Sequence, residues 1–157
     1  MAAGPKPAAD LSALPFRSRK AGAERFAAWV AKYLVVPKGN GANKPMRMRP
    51  WQIEMLRPFL DPDPRPVVGA IMGPRGLGKT GLFAALGLYE LFDGPDGNEI
   101  PIVAVDERMA ARLLKPAAQM VELHPELASR AQVYRDRIEV PGNGPASMVG
   151  RLLSFTF

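Results

Sequence analysis

The residues Gly73-Pro74-Arg75-Gly76-Leu77-Gly78-Lys79-Thr80 follow the spacing G-x-x-x-x-G-K-[ST] at every defined position. A short apolar run at 66–72 precedes them and predicts a buried strand of a parallel sheet. Residues 80–92 follow and have the composition of a helix. A glycine loop between a strand and a helix aims its backbone N–H groups and the helix dipole at one point. The stretch therefore predicts a phosphate-binding loop in an α/β fold.

The residue types of this glycine loop (residues 73–80) each suit phosphate binding. Gly73, Gly76 and Gly78 allow positive φ angles and a close approach of the backbone. Lys79 offers a point charge to the β- and γ-phosphates, and Thr80 offers a hydroxyl to Mg²⁺. We therefore predict nucleotide contacts along the whole loop: Gly73, Pro74, Arg75, Gly76, Leu77, Gly78, Lys79 and Thr80.

The elements predicted around the loop alternate between strand and helix. A second buried strand is predicted at 100–105, and a helix at 106–123 that Pro116 should kink or interrupt. Together with the strand at 66–72 and the helix at 80–92, this order predicts a parallel βαβ unit with a right-handed crossover.

Upstream, the spacing of apolar residues predicts amphipathic helices at 21–36 and 50–60. Downstream, short strands are predicted at 133–134, 137–140 and 148–157. We therefore expect three parts: a loosely ordered basic leader at 1–20, a helical segment at 21–65, and a partial nucleotide-binding core at 66–157.

Composition excludes several kinds of protein. The 157 residues, 47% of them hydrophobic, suffice for one domain with a core. The absence of cysteine excludes disulfides and thiolate sites, and a single histidine, His124, excludes a multi-histidine metal centre. There is no apolar run of membrane-spanning length and no apolar secretion signal near the N-terminus, so we expect a cytoplasmic protein without a membrane partner.

The positive charge lies toward the N-terminus. The formal net charge is +6, and residues 1–60 carry 11 basic and 3 acidic side chains, a net of +8. This excess fits contact with a polyanion such as double-stranded DNA, and it fits a solvated basic face equally well. Both interpretations are open at this point.

Asp106 and Glu107 follow the second predicted strand, and two interpretations compete for them. NTPases place an Asp that holds Mg²⁺, often followed by a Glu that polarises water, at the end of an apolar strand. Alternatively, Asp106 caps the helix that begins there, and Glu107 lies in its first turn. We favour the capping role because this strand directly follows the helix of the glycine loop.

Four segments in this order resemble one family. They are Arg49-Pro50-Trp51-Gln52, the glycine loop, Val103-Ala104-Val105-Asp106-Glu107-Arg108, and Met120-Val121. Between residues 20 and 153 the chain resembles the N-terminal ATPase region of tailed-phage terminase large subunits. The resemblance implies a P-loop NTPase-type α/β fold, with a parallel sheet, flanking helices and preceding N-terminal helices, that powers DNA packaging into procapsids.

The resemblance also implies roles for individual residues. Gln52 matches a glutamine that contacts adenine, and Arg75 matches an arginine that acts as a cis arginine finger on the transferring phosphoryl group. Lys79 and Thr80 keep their phosphate and Mg²⁺ roles. Asp106 falls on the strand before the metal-binding strand of the family, which agrees with capping.

The implied ligands and partners are ATP, Mg²⁺, double-stranded DNA, the terminase small subunit and the portal protein, all in the host cytoplasm. Self-association stays open. The family continues with a metal-binding Asp, a catalytic Glu and a nuclease domain, none of which is recognisable in this sequence. We therefore expect an ATP-binding fragment that hydrolyses ATP poorly alone.

Two alternatives remain. In the first, the chain is a small self-contained P-loop NTPase or kinase that uses Asp106 as its metal ligand. In the second, it is a DNA-contacting assembly module with an idle nucleotide site.

Overall fold

Five helices and four strands form the part of the chain that the computed structural model describes, residues 8–144 and 146–152. The helices are α1 (Gly22–Tyr33), α2 (Pro50–Leu60), α3 (Lys79–Asp93), α4 (Glu107–Leu123) and α5 (Pro125–Arg130). The strands are β1 (Glu99–Ala104), β2 (Gln132–Val133), β3 (Arg137–Val140) and β4 (Ala146–Leu152). The predicted α/β class is confirmed, and residues 153–157 of the last predicted strand lie outside the described residues.

The four strands form one mixed sheet in the order β1-β4-β3-β2. β1 and β4 run parallel, with Glu99 opposite Ser147 and Ile102 opposite Gly150, whereas β3 is antiparallel to both β4 and β2. Parallel pairing needs a long connection, and α4, α5 and the short strands provide it. The parallel part of the predicted sheet is therefore a single pair, with an antiparallel hairpin beside it.

The strand predicted at 66–72 does not form, which corrects the expected βαβ unit. Val67, Val68 and Met72 are 100%, 84% and 91% exposed, and the segment belongs to no strand. An apolar run becomes a buried strand only when a neighbouring strand takes its hydrogen bonds and other layers cover its faces. β1 pairs with β4, and no described strand lies beside residues 66–72.

The core lies between α1, α3, α4 and the sheet. Trp29 of α1 is fully buried and packs edge-on against Tyr89 of α3, with ring centroids 5.6 Å apart. Gly87 lets α3 approach the sheet, since a Cβ there would lie 2.7 Å from Cε of Met148. Burial of these large side chains supplies most of the stabilisation, at roughly 25 cal/mol per Å² of apolar surface.

Helix boundaries differ from the expectations at two places. α1 ends at Tyr33, because Leu34 is extended and Val35 pairs with Pro45 in an isolated bridge. α4 runs through Pro116 without interruption. The face of α4 that carries Leu114 and Met120 is buried, and this packing offsets the hydrogen bond that proline cannot make.

The described part of the N-terminal leader, residues 8–20, is attached to the helices. The Asp10 amide donates to the Ser129 carbonyl at 2.8 Å, and Lys32 Nζ donates to the Pro15 carbonyl at 2.9 Å. Arg130 Nε donates to the Ser12 carbonyl at 2.9 Å. Composition alone does not indicate these contacts, because they join segments far apart in the chain.

Within the described residues, no helix is long and apolar enough to cross a membrane.

Candidate functional site

The glycine loop takes the backbone conformation that its glycines allow. Gly76 and Gly78 have φ angles of +83° and +77°, in the left-handed region that other residues rarely adopt. Gly78 is the N-cap of α3, so the helix begins at Lys79. A Cβ on Gly73 would lie 2.7 Å from Cδ2 of Leu77, so a side chain there would displace Leu77.

Lys79 is folded back over the loop. Its ammonium donates hydrogen bonds to the carbonyl oxygens of Gly73 and Pro74, both at 2.6 Å. These two bonds use two of its three donors and hold the positive charge inside the curve of the loop. The positive charge of Lys79 therefore lies within the loop in which the sequence pattern predicts phosphate binding.

Arg75 and Thr80 are both exposed, and their side chains have no hydrogen bond or ion pair to the rest of residues 8–144 and 146–152. Arg75 lies in the turn of the loop, and Thr80 lies in the first turn of α3. A guanidinium and a hydroxyl without protein partners are available to a ligand at the start of the helix.

A groove of about 750 Å³ runs along α3 beside β1. Lys79 and Thr80 line it together with Glu90 and Glu99, and apolar side chains line most of the remainder. The apolar lining residues include Ile71, Phe83, Leu86, Ile100, Ile102 and Met148. Lys79 and Thr80 thus border a mostly apolar groove at the start of α3.

Gln52 lies in the first turn of α2, where its side chain already has a structural role. Its Oε1 accepts a hydrogen bond from the Arg49 amide at 2.8 Å, which satisfies a donor at the start of α2. No hydrogen bond within the described residues joins Gln52 to the glycine loop. Neighbouring Trp51 is 40% exposed, so this part of α2 is open to a ligand.

Asp106 caps α4. Its side chain accepts a hydrogen bond from the Met109 amide at 2.6 Å, and Glu107 lies in the first turn of the helix. Asp106 and Glu107 line a different groove from the one bordered by Lys79 and Thr80. The capping interpretation is confirmed, and no described residues form a cluster of three or more potential metal ligands.

Several cations of the basic first 60 residues are paired. Arg25 forms a two-pronged pair with Asp93 of α3, with N–O distances of 2.9–3.0 Å. Arg57 contacts Glu54 and Glu24, each at 2.8 Å, and Asp61 at 3.4 Å. Hydrogen bonds from Arg57 to Glu54 and Asp61 raise the pKa of its guanidinium above the ordinary value. The +8 of this region is therefore partly neutralised in the fold.

Comparison with known proteins finds relatives by sequence and by fold. No family model matches the chain. The sequence is 31% identical over 107 residues to the large subunit of terminase from Enterobacteria phage HK97; the match covers 66% of this chain and 21% of the relative. The chain thus spans about a fifth of the length of that protein.

The fold matches the crystal structure of the HK97 bacteriophage large terminase with a TM-score of 0.75 and 23% identity. This match covers 88% of the chain and 29% of that structure. The agreement extends beyond the glycine loop to the helices and strands around it. Sequence and fold together show that the chain is related to the large subunits of phage terminases.

Proposed function

We propose that the chain binds ATP and Mg²⁺ through the glycine loop and forms the nucleotide-binding part of a motor that packages phage DNA. One observation carries the proposal: Lys79 and Thr80 open α3 directly after the left-handed Gly78 and border a groove. The first N–H groups of a helix have no partner in the helix, and they favour an anion. The terminase relative supports the motor context.

Binding requires Lys79 to exchange partners. In the structure its ammonium donates to the carbonyls of Gly73 and Pro74. A phosphate carries full negative charge, so a charge-assisted bond to phosphate is stronger than one to a neutral carbonyl. Lys79 then neutralises the phosphate, and Arg75, which has no partner among the described side chains, turns its guanidinium toward the terminal phosphoryl group.

Mg²⁺ bound beside the phosphates neutralises charge and polarises the terminal phosphoryl group. Thr80 has a free hydroxyl in the first turn of α3 and would hold the ion, which prefers oxygen ligands. Hydrolysis also needs a carboxylate for the ion and one for the attacking water. We propose that this chain alone turns over ATP slowly, since Asp106 is engaged as a helix cap.

Adenine recognition is assigned to Gln52 and to the exposed start of α2. Its Oε1 is used by the Arg49 amide, but its NH₂ group keeps its donors. A donor at this position pairs with an adenine ring nitrogen, and the exposed ring of Trp51 offers an apolar surface beside it. This arrangement favours ATP over nucleotides with a donor at the same edge.

The wider assignment follows the terminase relationship. We propose double-stranded DNA, a terminase small subunit and a portal protein as partners, in the cytoplasm of the infected host. The self-contained NTPase is less well supported, because its proposed metal ligand, Asp106, lines a groove apart from Thr80.

Binding of a fluorescent ATP analogue in the presence of Mg²⁺ tests this function. Lys79→Ala removes the cation of the loop and should weaken binding at least about tenfold, which corresponds to about 1.4 kcal/mol. Lys44→Ala removes an equal charge from an exposed loop residue and should leave binding unchanged. Equal affinities of wild type and Lys79→Ala would refute nucleotide binding by this loop.

A further inference from the structure

A second groove, of about 790 Å³, lies on α4 beside the turn between β2 and β3, and basic side chains border it. Arg108, Arg112 and Lys115 are exposed and follow each other on α4 at spacings of four and three residues. This spacing places them on one face of the helix, whereas the opposite face packs into the core through Leu114 and Ala117. The three cations therefore form a stripe along the solvent side of α4.

Two further cations extend this stripe from other parts of the chain. Arg135, in the turn between β2 and β3, lines the same groove as Arg112 and Lys115. Lys38, in the loop between α1 and α2, lines an adjoining pocket with the same two residues. We call these five residues the basic surface: Lys38, Arg108, Arg112, Lys115 and Arg135.

The cations of the basic surface form few ion pairs within the described residues. Within residues 8–144 and 146–152, Lys38, Arg112, Lys115 and Arg135 have no ion pair, and Arg108 has only Asp106 at 3.9 Å. Three carboxylates line the same groove: Asp106 caps α4, Asp136 pairs with Arg137 at 3.1 Å, and Glu107 lies in the first turn of α4. The five cations of the basic surface outnumber them. Arg25 and Arg57, by contrast, are fully engaged by carboxylates. A concentration of free positive charge therefore remains on this face.

We propose that the basic surface binds the phosphate backbone of duplex DNA. The choice of DNA rests on the proposed function, whereas the position of the surface rests on the charges described above. From Arg108 to Lys115 the helix rises about 10 Å, a length over which duplex DNA carries about six phosphates. The spacing and number of the cations thus suit a duplex backbone.

A duplex is favoured over a single strand because the basic surface lacks an open aromatic platform. Single-strand binding relies on bases that stack on aromatic rings. The 40% exposed ring of Tyr134, next to Arg135 in the chain, carries the Arg137 guanidinium 4.0 Å from its centroid. Contacts to phosphate alone carry no sequence information, so this surface binds DNA of any sequence.

The proposed DNA surface and the nucleotide groove share one helix. Leu113 of α4 lines the groove bordered by Lys79 and Thr80, whereas its neighbour Arg112 lines the basic surface. α4 therefore lies between the two sites, and a shift of this helix would move residues that line both grooves.

Fluorescence anisotropy with a labelled 30-base-pair duplex between 50 and 200 mM salt tests the proposal. Five phosphate contacts predict an affinity loss of about 500-fold over this range. The variant Arg112→Ala/Lys115→Ala/Arg135→Ala keeps two contacts and should lose only about 10-fold. The charge-preserving variant Arg112→Lys/Lys115→Arg/Arg135→Lys should keep the wild-type salt dependence.

The matched control is Arg17→Ala/Arg19→Ala/Arg47→Ala, which removes three exposed cations of the first 60 residues. This control should retain the wild-type salt dependence. A control that loses as much salt dependence as the α4 variant would overturn the proposal, as would a single strand that competes as well as the duplex. Absence of duplex binding, with ATP-analogue binding intact, would also overturn it and would leave the proposed nucleotide site standing.

Discussion

The ammonium of Lys79 donates a hydrogen bond to the carbonyl oxygen of Gly73 at 2.6 Å, across the full width of the glycine loop. This bond joins the two ends of the loop and places the positive charge of Lys79 between them. The residue at the start of the loop and the lysine at the start of α3 thus act together, so a change at either one should alter phosphate binding.

Gly73→Ala tests the start of the loop. The new methyl group would lie 2.7 Å from Cδ2 of Leu77, so the Leu77 side chain must move out of its place in the loop, and we expect ATP-analogue affinity to fall about 2- to 10-fold. Gly81→Ala is the matched control, because a Cβ there meets no atom within 4 Å. Its binding should equal that of wild type, as measured by fluorescence titration. Equal affinities of Gly73→Ala and Gly81→Ala would contradict a role of the Gly73–Leu77 contact in shaping the phosphate site.

Gln52→Ala tests adenine recognition. Loss of one hydrogen bond should reduce ATP affinity about 2- to 10-fold and leave GTP affinity nearly unchanged. Competition titrations with the two nucleotides measure the difference, and circular dichroism checks that α2 persists without the bond to the Arg49 amide. A parallel loss for both nucleotides would contradict a role in base selection.

Substitutions at Asp106 separate helix capping from metal binding. Asp106→Ala removes the acceptor of the Met109 amide and should cost about 1 kcal/mol of unfolding free energy. Asp106→Asn keeps an acceptor and should cost less, as followed by urea unfolding. Neither variant should change Mg²⁺-dependent ATP-analogue binding, so a marked loss in both would restore the metal-ligand interpretation.

Arg25→Ala tests the link between α1 and α3. The partly buried carboxylate of Asp93 would lose its hydrogen bonds from the Arg25 guanidinium. We expect the free energy of unfolding to fall by about 1.5–3 kcal/mol. Arg57→Ala removes a more exposed cation and should lower Tm less, because solvent screens its ion pairs. Thermal unfolding of both variants measures which one loses more Tm. A larger loss in Arg57→Ala would show that the exposed ion pairs of Arg57 stabilise the fold more than the Arg25–Asp93 pair does.

Local features were predictable from the sequence. The glycine spacing predicts where α3 begins, since only the loop and the first helical turn are involved. Asp106 was predictable as a cap for the same reason, because its hydrogen bond to Met109 spans three residues. The apolar spacing of α1 predicts a buried Trp29, and Trp29 is buried. The same spacing rule predicts a buried Trp51 in α2, but Trp51 is 40% exposed.

Long-range pairing was not predictable in this way. The apolar run at 66–72 has the composition of a buried strand, yet β1 takes β4 as its partner and the run remains exposed. Pairing depends on which strand lies alongside, and the local pattern does not contain that information.

The sequence by itself determined the glycine loop, the helices and the cap of α4, because these depend on residues within a few positions of one another. Only the tertiary structure decided which charges stay free. It pairs Arg25 with Asp93, 68 residues away, and it brings Lys38, Arg112 and Arg135 to one face from three separate segments. Coulombic interactions fall off with distance in space, so charge pairing follows from packing and not from order along the chain.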